Sequence, residues 1–147
     1  MKKDDFYGLV ILMRRLLAKG GCPWDRKQTH RSLLKYLKEE AEEVAIAVRR
    51  RDWANLEEEL GDLLLQVVFH AELARRSGRF SMDGVIRSIT EKLVRRHPHV
   101  FGRKKLLTPE DVTLQWEEIK KAEKQRKKQK QHCSLSDTLV KRKIRNL

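Results

Sequence analysis

The sequence predicts an all-α protein, a helical bundle of about five helices completed by oligomerisation. Two observations carry this. Every long patterned segment repeats its apolar residues at three- and four-residue spacing, the signature of one helical face, and no segment alternates as a strand does. Cap and stop residues bracket these segments at short intervals, leaving little chain for anything but tight connections.

The first helix is expected over 4–19, where Phe6, Leu9, Val10, Met13, Leu16 and Leu17 share a face and Gly20-Gly21 supplies the stop. The following CPWDRKQTH reads as a loop. The second helix is expected over 30–50, with Thr29 as its cap and Arg49-Arg50-Arg51 at the negative end of its dipole. The third runs over 53–77, between a capping Asp52 and Gly78. Leu56, Leu60, Leu63, Leu64, Val67 and Ala71 form its main stripe, and Leu65 and Phe69 lie on another side. A helix apolar on more than one face needs more than one covering surface. The expected arrangement is a homodimer or higher oligomer in which a second subunit buries Leu65 and Phe69. The fourth helix, 82–96, ends before Pro98. The fifth opens on Thr108-Pro109 and runs through Trp116 and Ile119 into KKAEKQRKKQKQ, a stretch with no apolar face.

Paired carboxylates carry the chemistry. Glu40 and Glu43 stand three apart on the second helix, and Glu59 and Asp62 stand three apart on the third, so each helix presents an acidic pair on one face. The Arg51-Asp52 turn folds the two helices antiparallel and lets the pairs meet. Helical geometry puts Glu40 and Glu59 at the border of their apolar faces, with Glu43 and Asp62 just outside. Four converging carboxylates repel one another, the more so when half-buried, and a divalent cation removes the cost. Oxygen-only ligands suit Mg2+, with Mn2+ able to substitute. A di-iron site expects a histidine three residues after a glutamate on two helices, and none is present here. His70, further along the third helix, is the nearest alternative ligand. Gly61, set between Glu59 and Asp62, costs the helix about 1 kcal/mol relative to alanine and suggests close approach of another helix or a substrate.

A metal-carboxylate site fits a phosphate substrate, which also needs fixed cations and a surface for its base. EKLVRRHPHVFG offers Lys92, Arg95 and Arg96, and CPWDRKQTH offers Trp24, Gln28 and His30; Trp116 is a further stacking surface. No glycine-rich phosphate loop is present.

The formal charge is +13, and residues 118–147 hold eleven basic against three acidic side chains. This sets a basic tail, 125–147, apart from a catalytic domain, 1–124. The tail is expected to be dispensable for chemistry. A polyanion such as nucleic acid is its natural partner, and a non-catalytic helical protein binding nucleotide or nucleic acid through that tail is the alternative reading of the chain. Cys22 and Cys133 form no framework and read as free thiols. No apolar run approaches the length of a membrane span, and the basic, apolar start is interrupted by Asp4, Asp5, Arg14 and Arg15, so the protein is expected in the cytoplasm without a membrane partner.

Five segments, in order, resemble the MazG family of nucleoside-triphosphate pyrophosphohydrolases: CPWDRKQTHRSL at 22–33, EEAEEVAIAV at 39–48, EELGDLLLQVVFHA at 58–71, EKLVRRHPHVFG at 91–102 and, more loosely, WEEIKKAEK at 116–124. The family's acidic signature is met by Glu39, Glu40, Glu43, Glu59 and Asp62. The resemblance implies hydrolysis of a nucleoside triphosphate to the monophosphate and pyrophosphate, and magnesium on Glu40, Glu43, Glu59 and Asp62. It implies phosphate contacts from Lys92, Arg95 and Arg96, a substrate contact from Trp116, and an all-α subunit acting as a dimer or higher oligomer. Beyond 124, Ser134-Leu135-Ser136-Asp137 resembles the start of a segment that relatives carry further, but here it runs into TLVKRKIRNL.

Overall fold

The computed structural model describes residues 5–102 and 108–144, with the side chains of 127, 128 and 130–144 excepted. Its described residues form seven helices and no strand: α1 Phe6–Leu17, α2 Pro23–Lys27, α3 Leu34–Arg50, α4 Trp53–Arg76, α5 Met82–Arg96, α6 Pro98–Phe101 and α7 Pro109–Ile144. The five long helices fall where the periodicity put them. Of the two short ones, α2 lies in the stretch expected to be a loop and α6 directly after the expected stop at Pro98. Each begins on a proline, whose fixed φ and missing N–H suit the first turn of a helix as well as a loop.

Local chemistry explains the boundaries. Asp5 accepts from the Gly8 amide at 2.6 Å and starts α1. Thr29 and Ser32 bond each other's amides through their hydroxyls, at 3.1 and 2.9 Å. That reciprocal pair caps a turn over 30–33, and the helix proper begins only at Leu34, four residues later than expected. Arg51 sits in the left-handed region at φ 57° and closes α3. Asp52 starts α4 by accepting from the Asn55 amide at 3.2 Å, and Gly78, at φ 67°, follows its end. Thr108 accepts from the Asp111 amide at 3.2 Å and starts α7, which continues through residue 124 without a break.

Two compact units divide the chain, Met1–Ile89 and Thr90–Leu147. In the first, α3 and α1 both pack on α4. Its core comprises Val10, Met13 and Leu17 of α1, Leu33 just before α3, Val68, Phe69 and Ala71 of α4, and Met82, with Leu65 and Tyr36 packed against it. This corrects the expected faces of α4. Phe69 is 3% exposed, inside the chain's own core, whereas Leu60, Leu64 and Val67 of the main stripe are 50%, 38% and 38% exposed. The reason is α1: it covers the side of α4 that holds Val68, Phe69 and Ala71 and leaves Leu60, Leu64 and Val67 of the longer stripe exposed. No helix among the described residues is long and apolar enough to cross a membrane.

Candidate metal and phosphate site

The α3/α4 hairpin brings the acids together. Carboxylate oxygens of Glu40, Glu43 and Glu59 lie within 4.8 Å of one another. Glu40 and Glu59 are half-buried and Glu43 is exposed. Asp62 stands outside that triplet, yet its charge acts on both Glu40 and Glu59. The electrostatics match the crowding. The Glu40 carboxyl is pushed above its ordinary range by burial first, then by Asp62 and Glu43, and Glu59 beyond them. Glu59 is pushed the same way by burial, then by Glu43 and Asp62, against a hydrogen bond with Asn55 that pulls it down. Carboxylates crowded so that Glu40 and Glu59 are both pushed upward suit a cation that relieves the repulsion. An oxygen-only donor set fits a hard divalent ion, so the residues present fit the group. Glu39 is exposed and lies outside the triplet.

Gly61 does not make the close contact expected of it within this chain. A Cβ built there meets nothing within 4 Å among the described residues. His70 also lies outside the acidic triplet. Its Nδ1 lies 2.8 Å from Nδ1 of His30, the rings stacked at 5.1 Å, so a single shared hydrogen joins the pair. Burial and His30 hold His70 below its ordinary pKa, and its buried Nε2 has no partner among the described residues.

The aromatic loop candidates are partly occupied. Trp24 is 50% exposed and meets Tyr36 edge-on at 5.7 Å. Gln28 donates to the Trp24 carbonyl at 3.1 Å and accepts from the Ser32 hydroxyl at 2.7 Å, so it braces the α2 turn.

In the second unit the basic run is tied down. Arg95 donates to Glu123 of α7 at 2.8 Å and Arg96 at 2.6 Å. These two guanidinium groups hold the Glu123 carboxyl down at about 2. Lys92 is half-buried and makes no hydrogen bond or ion pair among the described residues. Trp116 packs edge-on against His97 at 5.1 Å, and its buried indole N–H lacks a partner among the described residues. Arg96, Glu117, Lys120, Lys121, Glu123 and Lys124 line a cleft of about 560 Å³. Sequence reasoning missed Glu123 and the three lysines. The signal was present in WEEIKKAEK, whose charges fall at three- and four-residue spacing, but a charged helix face is solvated far more often than it lines a site.

The MazG nucleotide pyrophosphohydrolase domain matches residues 28–101, a span that contains all four acids and the basic run. A nucleoside triphosphate pyrophosphohydrolase/pyrophosphatase MazG of Thermotoga maritima is 51% identical over 123 residues, covering 84% of this chain and 47% of that protein. A nucleoside triphosphate pyrophosphohydrolase of Escherichia coli K12 is 43% identical over 130 residues, covering 88% and 49%. The chain thus spans about half the length of these relatives. The crystal structure of a MazG-related protein from Thermotoga maritima superposes with a TM-score of 0.67 at 37% identity, covering 78% of this chain and 98% of that one.

Proposed function

This chain belongs to the MazG nucleotide pyrophosphohydrolase family, and on that premise we propose that it hydrolyses nucleoside triphosphates to the monophosphate and pyrophosphate, as nucleotide-pool housekeeping. The observation that supports this reading best is the convergence of Glu40, Glu43 and Glu59 within 4.8 Å, with the charge of Asp62 acting on two of them. These four residues are the proposed holders of Mg2+, for which Mn2+ can substitute. The cation, when bound, neutralises phosphoryl oxygens and acidifies water.

The chain's own residues do the rest. Glu39, beside Glu40 in sequence and exposed to solvent, orients or deprotonates the attacking water. The water attacks the α-phosphorus, because release of pyrophosphate requires cleavage between the α and β positions. Lys92, Arg95 and Arg96 offset the charge that develops on the leaving pyrophosphate. Trp24 and Trp116 offer stacking surface for the nucleoside. His30 retains Nε2 for hydrogen bonding, since its Nδ1 is engaged by His70, and Gln28 retains one amide hydrogen. The active form is proposed to be a homodimer or higher oligomer, in the cytoplasm.

One reaction tests the chemistry. Nucleoside triphosphate and Mg2+ are incubated with the protein in oxygen-18 water, and the products are resolved by mass. The expected result is one label in the nucleoside monophosphate and none in the pyrophosphate. Label in pyrophosphate, or orthophosphate with a diphosphate as products, would reject attack at the α-phosphorus.

A further inference from the structure

Charge is segregated along α7. Residues 109–123 hold five acidic side chains against two basic ones, whereas residues 124–144 hold eight basic against Asp137 alone. The densest part is KQRKKQK at 124–130, five cations in seven residues. Three ordinary reasons for such a run do not apply. Cations near a helix C-terminus answer its dipole, but that effect fades within the last turn, and α7 ends only at Ile144, several turns past Lys130. Acids three or four positions away would pair with the cations, but Glu123 alone stands at that spacing, and its two oxygens are held by Arg95 and Arg96. An apolar face would pack on the fold or lie in a membrane surface, but no apolar residue stands between Glu123 and His132. Lys124, Gln125, Arg126 and Gln129 are exposed. Positions 124 and 128, and 126 and 130, are helical neighbours of like charge, so the run repels itself.

The helical period sorts these charges into two rows. At about 100° per residue, positions 124 and 128 fall together on one side of α7, and 126 and 130 fall together on nearly the opposite side. Positions 125 and 129, both glutamine, lie midway between the rows, and position 127 lies at their back. We propose that this part of α7 lies in the major groove of double-stranded DNA. A helix about 10–12 Å across fills a groove about 12 Å wide. The two rows of cations meet the two phosphate walls, and the two uncharged amides face the base edges. Duplex RNA does not fit, because its major groove is too narrow, and a single strand offers one line of phosphates in place of two walls. Contacts mainly to phosphate make the binding depend strongly on salt and little on sequence. The inference stands independently of the proposed hydrolysis.

The test is fluorescence anisotropy of a labelled DNA duplex of about 20 base pairs with the full chain, over about 50 to 200 mM KCl. EDTA is present, so that no metal on the acidic cluster bridges to phosphate. Each phosphate neutralised contributes about −0.9 to the slope of log affinity against log salt, so four contacts give a slope of about −3 to −4. Arg126→Gln/Lys128→Gln/Lys130→Gln should lose most of that slope and bind about a hundredfold more weakly at the lowest salt. Lys127→Gln, at the back of the rows, should change the slope less than Lys128→Gln does. If the triple variant melts early, the two single variants decide. Absence of binding by the wild type at the lowest salt, an unchanged slope in a triple variant that melts like the wild type, or equal losses in Lys127→Gln and Lys128→Gln would each overturn the proposal. Tighter binding to a single strand or to duplex RNA of the same sequence overturns docking in the groove. Vesicles rich in phosphatidylserine that bind with the same lysine dependence, where duplex DNA does not bind, overturn it in favour of a membrane surface.

Discussion

The acidic groups of α3 and α4 and the ionic cluster of α5 and α7 solve opposite electrostatic problems. In the first, carboxylates are gathered in a half-buried setting, and burial first, then the neighbouring charges, make Glu40 and Glu59 hold their protons more tightly than free carboxyls do. In the second, opposite charges are matched, and Glu123 gives up its proton down to about 2. A carboxylate pushed upward by its neighbours costs the fold stability at neutral pH, whereas one pulled downward by arginines contributes to it. The difference teaches what each cluster is for. Unrelieved repulsion within a fold is tolerable where a ligand of opposite charge relieves it, and a satisfied ion pair can serve a ligand only by being displaced.

The largest expected effect breaks the acidic side of the comparison. Glu40→Gln keeps size and helix but removes one of the converging charges, and should lower turnover by about a hundredfold or more. The same change should stabilise the metal-free protein at neutral pH, because it removes a charge disfavoured first by burial and then by Asp62, Glu43 and Glu59. The sign is specific. A group whose folded pKa is raised destabilises above that pKa and costs nothing below its unfolded value of 4.5. The stability advantage of the variant should therefore shrink as pH falls toward 4.5. His70, held low, makes an opposite contribution, losing stability as pH falls below 6.5. The wild-type-minus-variant difference in thermal melts cancels that background. A variant less stable than wild type at pH 7 without metal would contradict the repulsion account.

A smaller effect is expected on assembly. The uncovered stripe of α4, with Leu60, Leu64 and Val67 beside a Trp53 that is 68% exposed, is the proposed face between subunits. Leu64→Asp should shift light-scattering mass from dimer to monomer and leave the α1–α4 core folded, since Leu64 takes no part in it. Gly61, open on this chain's own side, belongs to the same helix, so Gly61→Ala serves as a milder probe. A wild type that is monomeric at micromolar concentration and fully active would remove the oligomer from the account.

Much of this was legible in the sequence, and the parts that were not share a cause. The long helices of the hairpin, their caps at Asp52 and Gly78, and the convergence of Glu40, Glu43 and Glu59 follow from three- and four-residue spacing together with a tight turn. What escaped depended on contacts between distant positions. Periodicity shows that α4 has two apolar sides, but only the placement of α1 decides that Phe69 is inside and Leu60 outside. The His30–His70 pair spans 40 residues and the Arg95–Glu123 bond spans 28, and no local pattern announces either. Pro23 was read as a loop residue and Pro98 as a helix stop, because proline opens a helix as readily as it interrupts one.

The central claim is that Glu40, Glu43, Glu59 and Asp62 together form a divalent-cation site. The most direct test is a Mn2+ titration followed by electron paramagnetic resonance, on wild type and on Glu40→Gln and Glu59→Gln, at pH 7.5 and again near pH 5. The account predicts saturable binding by wild type that weakens as the pH falls, the direction set by carboxyls raised above their ordinary range, and loss of about tenfold or more in affinity in either variant. Equal Mn2+ affinity in all three proteins would contradict it.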